Sequence, residues 1–287
     1  MATYLNCTIT SYLFDGLIGM MFWGVTCGQV YMYFDQSSSD RLLLKVTIAF
    51  LFVLNTLNSA LVDHFVYFHL IMDFGNPLTL WSTPVSKLAL AVIRPVFACT
   101  MQAVFAHRVH ILSNKNIILT AWIVVLSFAG FAFSMWAAIT DGMQLVPEYS
   151  YISNYLAIAF TILADFSITI ALCYLLHKSR TGFRRTTSII RVLMMYTVNT
   201  GAIMFLNSST LLAVMDDMDV ALVNNNLCVA EVFYGIRFIG NGMYLSSYLA
   251  GLNAREGLRD QFNEPVSVRS QLGLPMAFAP QSTSPQP

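Results

Sequence analysis

Residues 152–191 read ISNYLAIAFTILADFSITIALCYLLHKSRTGFRRTTSIIR. The first part is one long apolar run in which Asp165 is the sole charged side chain. From His177 the character reverses: His177, Lys178, Arg180, Arg184, Arg185 and Arg191 follow with no acidic residue among them. A helix that crosses the hydrocarbon core needs roughly 20 apolar residues, and flanking Lys and Arg are retained on the cytoplasmic side. The stretch therefore reads as a membrane span ending in a basic cytoplasmic loop, with the next apolar run starting at 189.

The rest of the chain has the same character. Of its 287 residues, 56% are hydrophobic and only 10% are charged, whereas a soluble domain carries about 25% charged residues. Mean hydropathy is +0.63. Too few polar side chains are present to cover a water-exposed surface, so the class is integral membrane protein. A formal net charge of zero argues against a nucleic-acid partner, which calls for a broad basic surface. Cys7, Cys27, Cys99, Cys173 and Cys228 are scattered, with no CxxC and no histidine at ligand spacing, so no metal site is expected. Cysteines inside spans read as small apolar fillers. Cys7 and Cys228 are expected on the same, outer side, where they can form a disulfide.

Seven stretches are long enough to span: 13–34, 42–68, 85–112, 117–139, 151–177, 189–215 and 228–252. They are too long, and too uniformly apolar, for barrel strands. The expected fold is an all-α bundle of seven transmembrane helices over residues 13–259. A short outer segment (1–12) precedes it, and a disordered cytoplasmic tail rich in Pro, Ser and Gln (260–287) follows. Orientation comes from the basic residues. Arg41, Lys45, Arg108, Lys115, Lys178, Arg180, Arg184, Arg185, Arg191, Arg255, Arg259 and Arg269 fall on one side, and Lys87 alone on the other. That bias places the N-terminus outside and the C-terminus inside. The first residues, MATYLNCTIT, carry no basic segment, so the first span is expected to act as its own insertion signal. Asn6-Cys7-Thr8 is a glycosylation sequon on the outer side, close to the first span.

Six short strings stand out once the spans are set: GQVYMYF (28–34), DRLLLK (40–45), FGNP (74–77), SRTGFRRT (179–186), YTVNTG (196–201) and LAGLNAR (249–255). In this order and spacing the chain resembles the fungal seven-span membrane proteins grouped as domain of unknown function 6534, from about residue 12 to 259. The resemblance implies a topology and no activity. It also implies departures: the family typically has an Asp and a His in the second span where Asn55 and Asn58 stand here. It often has a Lys in the last span where this chain has Gly242.

Ionisable groups at membrane depth are expensive and mark the places to look for function. Arg94 lies nine residues into the third span, at a depth of ~14 Å, and Arg237 lies roughly 15 Å into the seventh. Asp165 is near the middle of the fifth span and Asp63 near the outer end of the second. Polar neighbours follow helical spacing: Asn55, Ser59 and Asp63; Thr161, Asp165 and Thr169; Arg237, Asn241, Tyr244 and Tyr248. On the sixth span Thr197, Thr200, Asn207 and Ser208 lie near one face. Lipid cannot satisfy such stripes, so all four are expected to converge on the bundle interior. One reading is an outer polar cavity in which Arg94, Asp165, Arg237 and Asn241 bind a small-molecule ligand, anionic by preference. The other readings are an Arg–Asp bridge that holds helices together, and an ion or proton path.

Further features have plainer readings. Pro95 removes a backbone donor and is expected to bend the third helix. Gly24 and Gly28 form a GxxxG, read as a packing surface within the bundle rather than for dimerisation. Asp63, His64, Tyr67 and His69 read as an interfacial polar cluster. His107, Arg108 and His110 read as a solvated helix end. The basic loop of Lys178, Arg180, Arg184, Arg185 and Arg191 reads as topology signal plus contact with anionic inner-leaflet lipids. Phosphate on Thr181, Thr186, Thr187 or Ser188 would weaken that contact.

No catalytic residue stands out: GxSxG, HExxH and paired-carboxylate motifs are absent. No cofactor is implied, and the seventh span has no lysine for a retinal Schiff base. The sequence therefore indicates a multi-pass membrane protein, receptor- or sensor-like in topology and not an enzyme. The alternatives are a transporter or channel for a small or anionic solute, and a structural, lipid-interacting protein. The bilayer is the one partner the sequence names; it names no protein partner.

Overall fold

A computed structural model describes residues 2–36, 41–68, 85–142, 147–178, 195–196, 198–213, 215 and 239–254. These residues fold into seven helices. They are α1 (Ala2–Gln36), α2 (Leu42–Tyr67), α3 (Val85–Leu112), α4 (Ile117–Gly142) and α5 (Pro147–Lys178), then α6 over 198–213 and α7 over 239–254. Helix α1 begins at Ala2, ahead of the first expected span. Among the described residues, α1 to α5 are long and apolar enough to cross a membrane. Their outward faces carry exposed Met21, Leu42, Trp122, Phe128 and Tyr174. Apolar surface on that scale belongs against lipid, and a helix is the element that satisfies its own backbone there.

The inward faces build one core. Val30 and Tyr33 of α1, Ile48 and Leu51 of α2, Phe97 and Met101 of α3, and Ile123 of α4 meet Ile168 of α5, Met204 of α6 and Leu245 of α7. Helix α3 is the hub, packing on α2, α4 and α5 and reaching α7 through Phe105. Its step into α4 is short. Asn114 and Lys115 take positive φ angles of 54° and 64°, which reverses the chain within a few residues. Asn116 then caps α4 by accepting the backbone N–H of Ile118 at 3.1 Å. A connection this tight forces α3 and α4 to lie side by side, and His110 and Thr120 lie 3.2 Å apart across it.

Several threonine hydroxyls inside the helices are satisfied locally. Thr26, Thr56, Thr100, Thr161, Thr169 and Thr200 each donate to the carbonyl four residues back, at 2.7 to 2.9 Å. This is how a helix keeps threonine at membrane depth without a water partner. Three of the strings that carry the family resemblance meet at one end of the bundle. Asn253 Nδ2 donates to the Gln29 carbonyl at 3.0 Å, joining α7 to α1. A Cβ on Gly251 would sit 3.3 Å from the Cβ of Tyr196.

The GxxxG of α1 does not pack as expected. Gly24 and Gly28 face outward, and a Cβ on either would meet nothing within 4 Å. The rotation of α1 is set by Thr26, Val30 and Tyr33, which are buried and lie on the opposite side of the helix. The close approach occurs elsewhere, at Gly201 of α6. A Cβ there would overlap the Thr169 side chain, meeting its Oγ1 first. Thr169 is β-branched and its hydroxyl is bonded to the Asp165 carbonyl, so it cannot swing aside freely.

Gly201→Ala is therefore expected to cost about 1–3 kcal/mol through overpacking. Thr169→Ala in the same chain should return most of that loss. Thermal unfolding in detergent of the single and double variants checks both.

Candidate functional site

A cavity of ≈ 120 Å³ lies among α3 to α7. Helix α3 supplies Arg94, Pro95, Ala98 and Gln102, a single face by their spacing. Helix α5 supplies Thr161 and Asp165, α6 supplies Asn207 and Ser208, α7 supplies Asn241 and Tyr244, and α4 adds Ser134. Pro95 has no N–H, so the Ala91 carbonyl lacks its helical donor beside the cavity. Arg94 and Asp165 are each only 8% exposed, so both charges stand in a low-dielectric setting.

Asp165 is held by neutral donors. Gln102 Nε2 donates to its Oδ1 at 3.1 Å, and the Tyr244 hydroxyl approaches the same oxygen at 3.5 Å. Both of these bonds fall on Oδ1, and the expected Arg94–Asp165 bridge is not among the contacts of the described residues. Gln102, which reaches Asp165, lies eight residues beyond Arg94 on α3, a rise of ~12 Å. Asn241 has a buried amide nitrogen with no partner among the described residues.

Beneath Asp165 an aromatic column closes the cavity. Phe105 stacks on Tyr244 with centroids 5.9 Å apart and planes at 11°, and meets Tyr248 edge-on at 5.3 Å. Arg108 donates from Nη2 to the Tyr248 hydroxyl at 3.1 Å and lies 4.7 Å from the centre of that ring. Arg108 is therefore a bridge between α3 and α7, not the solvated helix end expected from sequence. A gap of ≈ 10 Å³ lies alongside the column, between Asp165, Thr169, Thr200 and Tyr244. Thr200 and Ser247 close its far side with their hydroxyls 2.7 Å apart.

The polar stripe of the second span goes to a different place. Asn55, Asn58, Ser59 and Asp63 line a separate space of ≈ 10 Å³ against Gly16 and Gly19 of α1 and Gly242 of α7. Asn55 and Asn58 are almost wholly buried. Asn55 Nδ2 and Asn58 Oδ1 have no partner among the described residues. The space suits about one water, which such a donor and acceptor can share. The three positions where the resemblance implies Asp, His and Lys thus meet in one small chamber. A Cβ on Gly242 would lie 3.0 Å from the Cβ of Phe22, so a side chain there needs α1 to move.

Of the sequence-derived site residues, Arg94, Asp165 and Asn241 line one cavity, while Arg237 lies outside the described residues. Lys178 is exposed at the end of α5; Arg180, Arg184, Arg185 and Arg191 lie outside the described residues, as do Thr197, His69 and Cys228. Asn6 falls on the backbone of α1. Gln102 and Ser134 escaped the sequence reading. Gln102 had a signal, its i+8 spacing from Arg94, but a lone amide in an apolar span has no second stripe member to draw attention. Ser134 had none.

Gln102→Leu should destabilise the protein by about 1–3 kcal/mol, because it strips a buried acid of its closer donor. Tyr244→Phe, which removes only the longer contact, should cost less. Comparing unfolding midpoints of the two variants checks this order.

No curated protein and no solved structure matches the chain. The model of DUF6534, a family of unknown function, matches residues 161–257. That stretch carries Thr161 and Asp165, all of α6 and α7, and the strings YTVNTG and LAGLNAR. The resemblance read from the strings and the match over α5 to α7 agree, so this part of the chain is similar to the DUF6534 family.

Proposed function

We propose that this protein is a seven-span, receptor- or sensor-like membrane protein whose polar cavity binds a small ligand from the outer side. The observation that carries this reading is the cavity itself: Arg94 and Asp165 line one space, and Asp165 takes its hydrogen bonds from Gln102 and Tyr244. Binding chemistry also fits better than catalysis, since the described lining offers amides, hydroxyls and fixed charges, with no nucleophile–base pair among the described residues. In the proposed orientation the N-terminus is outside and the C-terminus inside, following the bias of basic residues. The loop of Lys178, Arg180, Arg184, Arg185 and Arg191 then lies against anionic inner-leaflet lipid, each charge contributing about 1 kcal/mol.

A second reading, transport of the same ligand, is favoured by one observation. The gap beside Thr169 and Thr200 continues beyond Asp165 and Tyr244, so the column of Phe105 and Tyr248 would be the barrier. Ligand-dependent flux into liposomes separates the two.

Ala98 sits on the cavity wall, and Ala98→Leu fills it. The variant should fold with an unchanged or raised unfolding midpoint. It should lose whatever small molecule mass spectrometry detects with the natively purified wild-type protein. Equal retention by the variant would sink the cavity reading. Cysteines introduced at 143 and 182 should label from outside and inside respectively with a membrane-impermeant maleimide.

A further inference from the structure

We infer that the chamber between α1, α2 and α7 is a binding site for one ordered water, which bridges the side chains of Asn55 and Asn58. The inference is independent of the ligand reading of the cavity among α3 to α7.

Two buried amides carry it. Asn55 is 1% exposed and Asn58 3%, and both line the chamber. Asn55 Nδ2 is a donor and Asn58 Oδ1 an acceptor, and neither has a hydrogen-bond partner among the described residues. The two residues stand three apart on one face of α2 and offer complementary groups, yet these atoms do not bond to each other. A gap between a donor and an acceptor on one wall suits a molecule that accepts from the first and donates to the second.

Size and chemistry then select water. The ≈ 10 Å³ of the chamber is about one water-sized sphere, too little for an organic ligand. A bare cation would gain from Asn58 Oδ1 but face the N–H groups of Asn55, and an anion would meet the reverse. Water donates and accepts at once. It therefore satisfies both groups, and still does so if either amide is turned end for end. Ser59 lines the same space and brings a hydroxyl, which completes the about three partners a buried water takes.

The surroundings make the water necessary. Much of the remaining described wall is apolar, formed by Met20, Val62, Ile239 and three glycines. Without a water, two amide groups would face that wall inside a bundle set in hydrocarbon, where an unsatisfied polar group is costly. Asp63, on the same face of α2, also lines the space and is half-buried, which gives a water a polar way in.

The test is thermal unfolding of the full chain in detergent for Asn55→Leu, Asn58→Leu and the double variant. Each single change should lower the midpoint by roughly 3–6 °C, because it takes one partner from the water and leaves the other amide poorly satisfied. The double change removes both amides together, so its loss should be smaller than the sum of the two. A double variant at the sum of the singles, whether they fall or rise, would overturn the bridge; two rises would mean a dry chamber. A wild-type midpoint that is higher in sodium chloride than in choline chloride, with that gain lost in Asn58→Leu, would put a cation there and overturn it as well. If a variant fails to fold, a crystal structure of the wild-type chain at a resolution that shows ordered water decides. Density for one water within hydrogen-bond reach of both amides is expected, and an empty chamber or one filled by a side chain would overturn the inference.

Discussion

Hydrocarbon offers no hydrogen bonds, and that constraint orders the interior of this bundle. Asp165 feels it most, a carboxyl group in the middle of a span with Gln102 and Tyr244 gathered on one of its oxygens. Threonines answer the constraint by bonding back to their own helices. Asn55 and Asn58 answer it in a chamber of their own, large enough for about one water. These described polar groups close on their own helix, find a neighbour, or face an internal space.

The aromatic column extends from this arrangement. Tyr244 joins the acid to Phe105, Phe105 to Tyr248, and Tyr248 to Arg108 near the C-terminal end of α3. The polar wall of the cavity and the α3–α7 contact below it are therefore one continuous set of side chains. A change in how Tyr244 sits on Asp165 has a short packed route to the end of the bundle, which is the physical content of a sensor-like reading.

Membrane class could be read without coordinates because it depends on sums: 56% hydrophobic residues, 10% charged, and apolar runs of spanning length. Arg94 and Asp165 were legible as interior positions because their cost in lipid leaves few explanations, and Asn241 because it falls on the stripe of Arg237, Tyr244 and Tyr248. Gln102 was not, since a neutral amide carries no such penalty signal and its value lies in reaching a different helix. Arg108 was misread for a related reason. Its place at a helix end suggests solvent, and only the approach of α7 brings Tyr248 beneath it. The Gly24–Gly28 pair was misread because spacing defines a small face on α1 but not which way that face turns.

The sequence by itself determined the lipid-facing class, the helical content, the polar stripes and, through its strings, the DUF6534 resemblance. These follow from composition and from the period of a single helix, which are local quantities. Tertiary structure decided which stripes share a space. It sent Asp165 and Arg94 to one cavity without joining them, and Asn55, Asn58 and Gly242 to another. It turned the GxxxG outward and made Gly201 the close contact. The reason is rotational: a helix can present any face to its neighbours, and the rotation of each one is set by the packing of all the others.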